Sequence, residues 1–189
     1  PPPPIDISCS ISAQKSFDAG LSLLHSFEYG EARRYFTEAE SLDPDCAMAK
    51  WGRAMTLWHP LWAPPSAADL EEGAKLLEGA STFANDEKSR AYVDALNAFF
   101  ANAASSAHGG RVSAYEAKMR ALHLADTGDR ETALFYALAL LASADPHDAT
   151  YAKQLRAGAV LSLTGAAGPE HPGVLHYTIH AYDYPSLAY

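Results

Sequence analysis

This sequence is short of cationic charge. Fourteen Lys and Arg stand against 23 Asp and Glu, a formal charge of −9. No Arg- or Lys-rich stripe is available to displace counterions, so binding to nucleic acid or to an anionic membrane surface is excluded. Cysteine is nearly absent too. Cys9 and Cys46 form no CxxC pair, so neither a disulfide framework nor a cysteine zinc site is indicated. Long apolar runs are missing: the longest, Ala133 to Ala142, is well short of the roughly 20 residues that cross a bilayer and reads as a helix buried on most sides. There is no alternating apolar pattern of strands, no GxSxG elbow, no HExxH and no glycine-rich loop between strand and helix. Serine hydrolase, phosphate-loop and dinucleotide chemistry are therefore poor candidates.

What is present is helix. The chain is 48% hydrophobic, much of it alanine, over 189 residues, enough for one domain or a row of small repeats. After the stiff Pro1–Pro4 leader, within a leader segment 1–11, Ser12 is positioned to cap a helix carrying Phe17, Leu21, Leu24 and His25 at helical spacing, with Gly30 as its stop. A second helix, 31–42, places Ala32, Tyr35, Phe36 and Ala39 on one stripe and ends at Asp43-Pro44. Further helices are expected at about 46–57, 67–77, 86–101, 112–126, 130–144 and 149–163. Between the third and fourth, Trp58-His59-Pro60-Leu61-Trp62-Ala63-Pro64-Pro65 forms an insertion (58–66) in which the prolines forbid continuous helix. This stretch reads as an ordered or lid-like loop packed by its own aromatics, with His59 and Trp62 as ligand or groove candidates. The acids Asp69, Glu71 and Glu72 sit at a helix start, where they complement the dipole and need no catalytic role. His25, His108, His123 and His147 stand singly and read as solvated or hydrogen-bonded.

Histidine is concentrated in one place. HPGVLHYTIHAYD, residues 171 to 183, holds three histidines and an acid in a predicted helix from about Pro172 to Asp183, with His171 at its cap. On that helix His176 and His180 are four apart and Asp183 three further on, so the three project from one stripe and together make a candidate divalent-metal set, zinc or iron. His171, with Glu170, joins only if the chain bends back. Two alternatives stay open: a hydrogen-bonded lining between packed helices, whose stability would fall as acid charges buried imidazoles, and catalysis without metal. Tyr177, Tyr182, Tyr184 and Tyr189 crowd the same helix; Tyr177 is carried as a groove candidate.

With Pro44 closing a unit of about 34 residues, Gly20, Ala32, Phe36 and Ala39 fall where tetratricopeptide (TPR) repeats place small, small, aromatic and small residues. In this stretch the chain resembles the TPR family. DPDCAMAKWGRAM (43–55) and HPGVLHYTIHAYD look like a mostly bacterial branch of TPR-containing proteins whose segments read DPDCAMAYWG and HPGAxHYxIHAxE. The resemblance runs from about Phe17 to Ala188, with Lys50 where an aromatic is usual and Asp183 where Glu is usual. It implies an all-α, right-handed superhelical stack of antiparallel helical hairpins over 12–189, degenerate after the first unit and truncated at its C-terminus. Members of that branch are longer and carry a further histidine-bearing segment (HMPSHIY-like) downstream, which would complete a metal set that this chain holds by half. The implied function is a scaffold accepting a protein or peptide partner; the alternative is a metal-binding protein or metal-dependent enzyme.

Overall fold

The structure, a computed structural model, describes residues 5–101, 103–166 and 171–187. The Pro1–Pro4 leader, Glu170 and residues 188–189 of the expectations above lie outside them. The described residues form helices without strands: α1 (Ile11–His25), α2 (Tyr29–Leu42), α3 (Ala47–Met55), α4 (Ala67–Leu77), a 3-10 turn (Ala80–Phe83), α5 (Glu87–Phe100), α6 (His108–Ala125), α7 (Arg130–Ala142), α8 (Ala152–Ala166) and α9 (Pro172–Tyr182). The expected all-α class holds, and no helix among these residues is long and apolar enough to cross a membrane.

Consecutive helices pack against each other throughout, and odd-numbered helices also meet, α1 with α3, α3 with α5 and α7 with α9. Rings from the odd-numbered helices meet in the interior. Phe135 of α7 touches His25 of α1 at 5.2 Å, Trp51 of α3 at 5.2 Å and Tyr92 of α5 at 6.0 Å, while Tyr177 of α9 packs on His25 at 5.7 Å. Aromatic pairs at these separations add to the burial of their area. The result is a filled centre, with every residue from Glu131 to Leu141 buried, as the apolar run anticipated. The first and last helices, α1 and α9, also touch.

Small residues set how closely the hairpins nest. Phe36 lies between Gly20 of α1 and Gly52 of α3, and a methyl group added to either glycine would overlap its ring. Gly52→Ala should therefore lower stability by roughly 1–3 kcal/mol through overpacking, read as a lower urea midpoint at unchanged slope. Lys50, the departure from the TPR-like pattern, pairs with Glu40 at 2.8 Å, and Glu40 also takes Arg53.

Five local expectations are corrected. The cap of α1 is Ser10, whose hydroxyl accepts the Ala13 N–H at 3.3 Å while its own N–H is held by Asp43 at 2.8 Å. That tie starts the helix before Ser12. The α1–α2 corner is made by Phe27 at φ 61°, and Gly30 lies inside α2. α6 begins at His108 and runs through Gly109 and Gly110, its entry fixed by buried Arg111, which donates to Ser106 O at 2.6 Å. α8 begins only at Ala152, because Asp148 turns the chain by accepting the Thr150 N–H at 2.9 Å. Finally, Cys9 and Cys46 form a disulfide across a separation of 37 residues. The α1–α2 hairpin returns the chain to its starting end, so residues flanking the hairpin become neighbours.

Candidate metal centre at the histidine helix

α9 starts as its sequence dictates, with Pro172 in the first turn and His171 as N-cap. His171 Nδ1 accepts the Gly173 N–H at 3.0 Å. Its proton is therefore on Nε2, which donates to Glu131 Oε1 at 2.9 Å. The other Glu131 oxygen accepts from His25 Nε2 at 2.8 Å, and His25 Nδ1 pairs with the Tyr177 hydroxyl at 2.9 Å. Four side chains from α1, α7 and α9 thus share one hydrogen-bonded chain, all 4% exposed or less. Gly173 permits it, since a Cβ there would sit 2.9 Å from His25 Nδ1. Burial pushes the Glu131 carboxyl up, but the field of His25 and the hydrogen bonds from His171 and His25 outweigh it and bring the group down to about 2. Its place in the first turn of α7 adds a favourable helix dipole.

Among the described residues, His25, Glu131 and His171 are the one group of three whose potential ligand atoms lie within 4.8 Å of one another. The donor set suits a divalent metal, but the hydrogen bonds disfavour it. A neutral imidazole that ligates through Nε2 must carry its proton on Nδ1, and Nδ1 of His171 is already the acceptor for Gly173. As arranged, this trio is a saturated hydrogen-bonded strut.

In the adjacent pair His176 has the opposite tautomer. His176 Nδ1 lies 2.9 Å from the backbone carbonyl of His25, which can only accept, so Nδ1 carries the proton and Nε2 is left as an acceptor. That nitrogen accepts from His180 Nε2 at 3.2 Å, and a divalent ion would take the place of the shared proton, since neutral imidazole ligands give up that proton on binding. Two imidazole nitrogens on one tetrahedral zinc, each about 2.05 Å from the metal, stand roughly 3.3 Å apart. A ligating histidine anchored by its second nitrogen on a carbonyl is also the usual outer-shell arrangement. Burial and the neighbouring His176 lower the pKa of His180, which keeps it in the neutral, ligating form.

Aromatic side chains wall the pair. Phe27 lies 4.2 Å from the His176 ring and 5.6 Å from His180, and Trp62 stands edge-on to His180 at 6.0 Å and to Phe27 at 5.1 Å. Phe27 reaches this position through its left-handed backbone, a conformation costing about 1–3 kcal/mol in a non-glycine residue. The insertion is held by neighbours more than by its own rings: Trp58 stacks on Phe99 at 4.0 Å and His59 on Tyr29 at 4.1 Å. The expected self-packed loop is replaced by one pinned to the α1–α2 corner and to α5.

The candidates from the sequence divide accordingly. His176 and His180 come together, Trp62 joins their wall, and His59 extends it through Tyr29. Asp183 is exposed at the C-cap of α9 and does not bring a third ligand atom to the pair. His171 and Tyr177 belong to the Glu131 chain. His25 and Glu131 carry no site motif in the sequence; the one sign is a histidine on the apolar stripe of Phe17, Leu21 and Leu24. No family model matches the chain, and no curated protein or solved structure matches it either.

Proposed function

We propose that this chain is a metal-binding helical-hairpin protein in which Nε2 of His176 and Nε2 of His180 hold one divalent ion, zinc or iron. The observation that carries the reading is their 3.2 Å separation, with the His176 tautomer fixed by the His25 carbonyl. Two imidazoles leave coordination positions for water, substrate or a further donor, the condition for Lewis-acid or hydrolytic chemistry. Glu131 serves from a distance: by fixing His171 and His25 it sets both the entry of α9 and the carbonyl on which His176 rests.

Trp62 supplies the reporter. Stoichiometric Cu2+ or Ni2+ should quench its emission, because the indole is 6.0 Å from His180, and His176→Ala with His180→Ala should abolish the quenching. Trp62→Phe should remove the optical signal while calorimetry still detects binding. Equal metal uptake by the double alanine variant would sink the proposal.

The second reading, a right-handed TPR-like superhelical stack that binds a protein or peptide partner, is favoured by the hairpin-by-hairpin order of contacts and the resemblance in 17–55. The rings of the odd-numbered helices fill the inner side, so such a partner would have to meet an outer surface.

A further inference from the structure

α9 contains no Asp, Glu, Lys or Arg between Pro172 and Tyr182, in a chain of formal charge −9. One face of this helix is taken: Gly173, Val174, Tyr177 and Ala181 are buried, and α9 packs on α1, α7 and α8. The opposite face is not. Leu175 and Ile179 are 57% and 62% exposed, and Tyr182, 37% exposed with its hydroxyl end laid over Gly158 of α8, continues their stripe at i, i+4, i+7 spacing. His176 and His180 each follow one residue after a member of that stripe, so the candidate ligands border it along its length.

Two features point to the same occupant. The pair offers two nitrogens where tetrahedral zinc takes four donors. An acidic chain also approaches another copy of itself at least electrostatic cost where it carries no charge. The stripe alone cannot hold two copies together. Three side chains on a helix about 16 Å long cover far less than the roughly 1,200 Å² of a stable association, so the metal must supply the difference.

We propose that two copies of this chain meet α9 to α9 across a two-fold axis, His176 and His180 of each supplying the four nitrogens of one shared divalent metal, with Leu175 and Ile179 closing an apolar seam around it. The arrangement is self-complementary and closes at two subunits. It rests on the metal reading of the pair and adds the partner that completes the ligand set.

Light scattering on the size-exclusion peak, with zinc content measured on the same fractions, tests it. In EDTA the chain should run at its monomer mass of 20.3 kDa. With ZnCl2 the mass should double at half a zinc per chain, and EDTA should reverse it. The His176→Ala, His180→Ala variant should remain monomeric in zinc. Ile179→Asp, at a position 62% exposed, should keep its helicity and need a higher zinc concentration for both zinc uptake and mass doubling, the two shifting together. One zinc per monomeric chain would overturn the shared site and leave the metal reading standing. No zinc uptake would overturn both. A dimer that persists in EDTA or in the double alanine variant would overturn the metal link.

Discussion

Glu131→Leu should destabilise the fold by about 3–5 kcal/mol, the usual cost of removing one partner from a buried charged network. The substitution leaves the Nε2–H groups of His25 and His171 without an acceptor in a site 4% exposed or less. Glu131→Gln is the sharper variant because it keeps the volume. Its amide oxygen can accept from His171, but its N–H then meets His25 Nε2, which must move its proton to Nδ1 and make the Tyr177 hydroxyl an acceptor. Equilibrium urea unfolding checks both. A loss below about 1 kcal/mol for Glu131→Leu would mean that the three side chains do not meet as described.

The same carboxylate gives stability a defined acid limb. Its folded value of about 2 lies below the ordinary 4.5, so the unfolded chain binds the proton more readily than the folded one. The contribution is fully present above about pH 4.5 and is lost as pH falls toward 2, on the order of 3 kcal/mol in all. Groups facing Glu131 across the packing are His25 and Asp18 of α1 and His171 of α9; burial, opposed by the Gln14 hydrogen bond and supported by the field of Glu131, raises Asp18. Asp18, with a raised value, has a shift of opposite sign and favours folding at low pH. Glu131→Gln should therefore flatten the acid limb; an unchanged limb in that variant would assign it elsewhere.

Reducing the Cys9–Cys46 bond should be nearly as costly. Closing a loop of 37 residues removes chain entropy from the unfolded state worth about 4 kcal/mol, an upper value for this mechanism. The bond also fastens the segment that buries Ile5 and Ile7, which are 1% and 2% exposed. Urea curves with and without dithiothreitol, and of a Cys9→Ala, Cys46→Ala variant, measure the effect. Coincident curves would show that packing of Ile5 and Ile7 alone seats this segment.

Helix positions were largely legible because apolar periodicity and punctuation agree, as at Ser66, where a capping box with Asp69 starts α4 at the expected residue. Errors fell where side chains override glycine as a stop: Arg111 ties the entry of α6, and the Phe27 ring holds a backbone shape that glycine adopts more cheaply. The histidine helix was legible by spacing, and its cap by the His171-Pro172 pair. The Glu131 chain was not, because its members lie 40 and 106 residues apart and only the packing of α1, α7 and α9 joins them. The disulfide was hidden for the same reason, since spacing alone does not reveal that a hairpin brings its flanks together.

α1 and α9 touch directly, a contact beyond the nearest-neighbour stacking on which linear arrays rely. Such arrays can shed an end unit and leave the remainder standing, because each unit leans only on its neighbours. Here His25 and Tyr177, 152 residues apart, share a hydrogen bond, so loss of either terminal helix opens the central rings to water. Melting should be all-or-none, with far-UV and near-UV circular dichroism falling together. Formation should be slow for a helical protein, since the closure of α1 on α9 joins residues 152 apart in sequence.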